Sequence, residues 1–134
     1  MRPRLHQAIK MGHLDKEESH GIRGRVFAEL GRYEEAIEDF DVAIRENPNV
    51  YDLHSRGRIY NILKRYELAL KDFRQILPID DDRKSTYWRI GNALYEQGKR
   101  KEALKAYELY AKSGEKVPKG LKVRIDALRR EFHP

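Results

Sequence analysis

Apolar residues recur along the chain in short bursts with helical spacing. Between residues 33 and 46, Ala36, Ile37, Phe40, Ala43 and Ile44 follow the i, i+3/i+4, i+7 pattern of one helical face, and the acids of YEEAIEDFD read as its solvated side. Val26, Phe27 and Leu30 mark a helix just before it, and Gly31 supplies the left-handed residue that ends that helix. The unit is therefore a helical hairpin. Gly98 takes the place of Gly31 further on, and Lys64, a less comfortable residue for that backbone, takes it in the middle. Pro48 and Pro78 close the second helices, because proline cannot continue the hydrogen-bond ladder.

The hairpin recurs. Gly24, Gly57 and Gly91 align at offsets of 33 and then 34 residues; so do Phe27, Tyr60 and Leu94, then Ala36, Ala69 and Ala103, then Phe40, Phe73 and Tyr107. Chance matching would not hold one pair of offsets through every column. A glycine inside a helix costs about 1 kcal/mol relative to alanine, so one at the same point of three helices implies close approach of the paired helix. The aligned aromatic rings are expected to fill space toward the next hairpin. One hairpin cannot bury both its faces, so the units are expected to stack into a superhelix with a concave side.

These segments, GRVFAELGRYEEAIEDFDVAIRENP, GRIYNILKRYELALKDFRQIL and GNALYEQGKRKEALKAYELY, resemble tetratricopeptide repeats over roughly residues 17 to 114. The third departs from the pattern at Arg100, where the others carry Tyr33 and Tyr66, and the second lacks the closing proline in register. The resemblance implies an all-α fold: a right-handed superhelix of stacked antiparallel hairpins, a TPR-like α-solenoid forming a single domain. Its expected parts are an N-terminal partial or capping helix over 1–16, repeats over 17–49, 50–83 and 84–116, and a C-terminal capping helix over 117–134. Leu5, Ala8 and Ile9 face inward in the first of these, and Leu121, Ile125, Leu128 and Phe132 form the apolar stripe of the last, opposite Lys122, Arg124, Arg129 and Arg130.

Composition removes several classes of function. Charged residues make up 37% of the 134-residue chain, there is no cysteine, and no run reaches the roughly 18 apolar residues of a membrane span. The first residues, MRPRLHQAIKMGH, lack the apolar core and cleavage site of a secretory signal. A cytoplasmic location, with no membrane partner, is the default expectation. Charge is uneven: residues 17–49 hold 4 Lys/Arg against 9 Asp/Glu, and residues 84–134 hold 13 against 6.

Asp52, His54 and Ser55 in DLHSRGRIY have the residue types of a hydrolase, but on one helix they fan out at about 100° per residue and do not converge. No catalytic residue is expected, and no enzyme. The helix instead has two faces, with Leu53, Gly57 and Tyr60 pointing inward and Tyr51, His54, Ser55, Arg58, Asn61 and Ile62 opposite. By the resemblance, that opposite side lines the concave groove in which a partner peptide binds. The matching groove positions are Arg25 in the first repeat and Trp88, Arg89, Asn92 and Tyr95 in the third. Trp88 stands equally well as a groove or a core residue, because the family often places tryptophan one position earlier, at Tyr87. Arginines and aromatic rings are the residues of interface anchors, so a protein or peptide partner, acidic in character, is expected.

Other readings are weaker. Chaperone-binding members of the family hold a terminal carboxylate with residues that fall here on Gly21, Arg25, Ser55, Ser85 and Arg89, and only Arg89 agrees. Nucleic-acid or other polyanion binding through Lys119, Lys122, Arg124, Arg129 and Arg130 is the runner-up function, and self-association through the N-terminal end a further one. No metal or other cofactor is expected: His6, His13 and His20 would stand about 10.5 Å apart on a helix and read as surface residues. The acids at 80–82 lie in a linker before a helix, and the EKVPK segment between Gly114 and Gly120 lacks the spacing of a phosphate loop.

Overall fold

The computed structural model describes residues 16–79, 84–114 and 116–133, with the side chains of 16–19 and 84 excepted. The described residues form seven helices and no strand: α1 Lys16–Glu29, α2 Tyr33–Glu46, α3 Val50–Ile62, α4 Tyr66–Ile76, α5 Lys84–Glu96, α6 Arg100–Lys112 and α7 Lys119–Phe132. The expected N-terminal helix with Leu5, Ala8 and Ile9, the histidines at 6 and 13 and the acids at 80–82 lie outside the described residues.

Local chemistry fixes the helix ends. Glu34 and Glu35 in the first turn of α2 and Arg45 in its last complement the helix dipole. Asn49 caps α3, accepting from the Asp52 amide at 3.0 Å while its own amide nitrogen donates to the Asp52 carboxylate at 2.7 Å. Asp52, which looked like a catalytic acid, serves the cap. The first helix of each hairpin ends in the same motif. Arg32, Arg65 and Lys99 donate their amides to the carbonyls of Phe27, Tyr60 and Leu94, and Gly31, Lys64 and Gly98 donate theirs to Ala28, Asn61 and Tyr95. The motif needs a left-handed residue, and Lys64 takes φ 62° where the others are glycines at 76° and 88°. Leu30, expected inside, is 49% exposed because α1 has ended and it sits in the turn.

Within each hairpin the ring of the second helix lies over the glycine of the first. A Cβ on Gly24 would stand 3.0 Å from Phe40, one on Gly57 2.7 Å from Phe73, and one on Gly91 2.5 Å from Tyr107. The rings thus pack onto their own hairpin rather than reaching only toward the next. The hairpins then stack, α2 against α3 and α4 against α5, with α7 closing the end on α6. One apolar core runs through the stack, from Phe27 to Leu128.

The acids of α2 are not all solvated. Asp39 is buried, accepting from Arg23 Nε at 2.8 Å and Nη2 at 2.7 Å, with His20 Nδ1 at 3.2 Å. The next hairpin repeats the pair one period on: Arg56 Nε and Nη2 bind the Asp72 carboxylate at 2.8 and 2.7 Å. The third hairpin has Ile90 and Ala106 at these places, both buried. His20, read as a surface residue, belongs to this buried network instead. The repeat packing demands a filled space here, which either an ion pair or an apolar pair supplies.

Candidate functional site

On the side of the array away from these pairs, α3 and α5 present a cavity of about 360 Å³. It brings together Arg58, Asn61, Arg89 and Asn92, four of the ten groove residues expected from the sequence. Ile62 at the end of α3, Lys64 in the turn after it, Tyr66 and Phe73 from α4 and Glu96 from α5 complete the wall. Lys64 reaches it through its left-handed turn, a feature visible in the sequence as a missing glycine but not as a site residue.

Electrostatics set this face apart. Several arginines of the fold are held in ion pairs: Arg23 with Asp39, Arg56 with Asp72 and Asp41, Arg65 with Glu34, Arg100 with Glu131. Arg58 and Arg89 make no ion pair among the described residues. The Nε of Arg89 is buried without a hydrogen-bond partner, as is Asn61 Oδ1. Burial, and then the Arg58 charge, push the Arg89 pKa down. Two like charges thus share the cavity, with the exposed Glu96 as the one carboxylate on its wall, an arrangement that favours the arrival of an anion.

His54 registers the same field. Burial first, then Arg89 and Arg58, lower its pKa to about 4, and its ring tilts against Phe73 at 6.3 Å. The unfolded chain protonates this imidazole near 6.5 and the folded one only near 4. Between those values the unfolded state binds more protons, so the fold loses stability as the pH drops through that window. Titrating the His54 ring by NMR should give a midpoint near 4, and Arg89→Gln should raise it; a midpoint at the ordinary value would show that the two guanidinium groups do not act on it.

The remaining expected residues are scattered around the cavity rather than in it. Arg25 is exposed on α1, Tyr51 is 78% exposed at the start of α3, and Ser55 is half-buried. Trp88 is half-buried, packed against the core with its ring 5.4 Å from that of Tyr110. Tyr95 is covered, with the Arg124 guanidinium 4.0 Å and that of Arg100 5.2 Å from its ring centre. Arg124 therefore does not lie on the solvated face of the last helix. It faces the array and donates to the Tyr107 hydroxyl at 3.3 Å, which donates in turn to Asn92 Oδ1 at 2.7 Å. This chain fixes the Asn92 amide with its nitrogen left over for a ligand. Arg129, another basic residue of that helix, is held by Glu108 at 3.3 Å. Among the described residues no group of three His, Cys, Asp or Glu side chains stands close enough to hold a metal, and no helix is long and apolar enough to cross a membrane.

Family models described as tetratricopeptide repeats match residues 17–50, 53–83 and 85–113, which together span most of the chain. The chain belongs to the tetratricopeptide repeat family. No curated protein matches the sequence. Solved tetratricopeptide domains superpose well on this one. The Sgt2 domain from Aspergillus fumigatus is 21% identical, with a TM-score of 0.73, 89% of this chain and 80% of that one being covered. The second domain of human RPAP3, in complex with the HSP70 peptide SGPTIEEVD, is 26% identical with a TM-score of 0.72, covering 85% of this chain and 95% of its own. The first domain of Spaghetti, bound to the HSP90 peptide SRMEEVD, is 21% identical with a TM-score of 0.76, covering 89% and 94%. The tetratricopeptide array thus has the all-α solenoid architecture expected from its 33/34-residue period.

Proposed function

We propose that this tetratricopeptide array is a non-enzymatic interaction module that holds an acidic peptide of a partner protein on the face formed by α3 and α5. The observation that carries the reading is the pair Arg58 and Arg89 lining one cavity, neither in an ion pair among the described residues and Arg89 with a buried Nε that has no hydrogen-bond partner. Two structural neighbours bind peptides whose sequences end in EEVD, and those peptides are acidic. Arg58 and Arg89 are the polar anchors in this reading, with Asn61 and Asn92 bonding the peptide backbone. Desolvated guanidinium groups reward a carboxylate more than exposed ones do, which suits Arg89 to the inner contact.

Titrating the protein with acidic peptides, SGPTIEEVD and SRMEEVD among them, tests the idea. Binding is expected for at least one acidic peptide, and reversing both charges, Arg58→Glu with Arg89→Glu, should weaken it by about a hundredfold while the helical circular dichroism stays unchanged. Equal affinity in the folded double variant would sink the reading.

A further inference from the structure

The cavity is overcharged for a carboxylate. Arg58, Lys64 and Arg89 line it against the single carboxylate of Glu96, which is exposed at the edge of α5. A peptide carboxylate brings one negative charge and two oxygens, and would leave one guanidinium of the adjacent pair uncompensated. A phosphomonoester carries a charge of about −1.5 to −2 at neutral pH and three acceptor oxygens. It meets both guanidinium groups at once, and arginine binds such oxygens with a fork of donors.

The other polar groups fit a ligand of that kind. Asn92 turns its amide nitrogen outward because its oxygen accepts from Tyr107, so it adds a neutral donor for a phosphoryl oxygen. Asn61 Oδ1, buried without a partner, calls for a donor and not an anion. A peptide N–H beside the modified side chain supplies one. Ile62, Tyr66 and Phe73 form the apolar part of the wall, against which the carbon skeleton of that side chain lies. Burial lowers the pKa values of both His54 and Arg89, and the charge of Arg58 lowers both further.

We propose that the cavity between Arg58 and Arg89 receives a phosphorylated side chain, the phosphomonoester of a serine, threonine or tyrosine in the bound peptide. This rests on the groove reading and sharpens it from an acidic peptide to a phosphopeptide.

The test is capture of degenerate peptides by the immobilised protein, in four arms with a fixed central phosphoserine, phosphotyrosine, glutamate or serine. A phosphorylated arm should be retained at least about tenfold better than the glutamate arm, and the stronger of the two separates an aliphatic parent residue, serine or threonine, from tyrosine. Arg58→Ala and Arg89→Ala should each remove that preference, and Arg45→Ala, at an exposed position on α2 outside the cavity, should leave it intact. If glutamate is retained as well as either phosphorylated residue, the phosphate receptor is overturned and the groove reading stands. If no arm is retained, both fall. A phosphate preference that survives both arginine variants places the binding elsewhere, such as on the basic last helix, and also overturns the proposal.

Discussion

Replacing Asp72 by alanine should lower the unfolding free energy by about 3–5 kcal/mol, the loss expected when one partner of a buried ion pair is removed. Asp72 is 1% exposed, and its two oxygens take both inner nitrogens of Arg56. Without it the guanidinium keeps one hydrogen bond, from Nη1 to Asp41 at 2.7 Å, and Asp41 is half in solvent. Burial works against the Arg56 charge, and the bonds to Asp72 and Asp41 outweigh it, so its pKa is raised. Burial also raises the Asp72 carboxyl, even beside that guanidinium, which shows how much desolvation the pair carries. The net value of the intact pair is therefore small, although breaking it is expensive. The third hairpin shows the alternative, with Ile90 and Ala106 in the same two places. Copying it, Arg56→Ile with Asp72→Ala, should recover most of the stability lost by the single change. Urea denaturation of the three proteins checks this. A single variant within about 1 kcal/mol of the parent, or a double variant no better than the single, would refute it.

That pair also shows what the sequence disclosed and what it hid. The period exposed the helices, their turns and the glycine column, because each depends on backbone geometry that only certain residues satisfy. Lys64 was legible as a strained substitute for the same reason, and φ of 62° bears it out. Asp39 and Asp72 were not legible. On a single helix an acid between apolar residues looks solvated, and only the facing helix, sixteen residues earlier, reveals Arg23 and Arg56 as partners. A comparison of columns would have found them, since both change together to apolar residues in the third hairpin. The candidate site divides in the same way. Arg58, Asn61, Arg89 and Asn92 follow from helical phase and do line one cavity. Arg124 and Tyr107 act on Asn92 from α7 and α6, at 3.3 and 2.7 Å along the chain of bonds, and no periodicity within one repeat reports a contact of that kind.

The second large effect is expected at Gly91, where the same substitution that strengthens most helices should weaken this one. Alanine gains about 1 kcal/mol over glycine from helix propensity alone. At Gly91 its Cβ would stand 2.5 Å from Tyr107 Cε1 and 2.6 Å from Cδ1, closer than real contacts allow. The ring has little freedom to retreat: Tyr107 is fully buried, and its hydroxyl is tied to Asn92 and Arg124. Overpacking of a rigid core costs about 1–3 kcal/mol, and because the obstruction is severe the upper part of that range should outweigh the propensity gain. Net destabilisation of Gly91→Ala by about 2 kcal/mol is the expected result. Gly120 in α7 provides the control, since a Cβ there meets nothing within 4 Å and the residue is exposed. Gly120→Ala should raise stability by up to about 1 kcal/mol. The two variants therefore move thermal midpoints in opposite directions. Gly91→Ala should also disturb the orientation of Asn92, as the displaced ring carries its hydroxyl with it, and so weaken ligand capture while Gly120→Ala leaves it unchanged. If both variants shift stability in the same direction, the close approach of the Tyr107 ring is not what holds glycine at position 91.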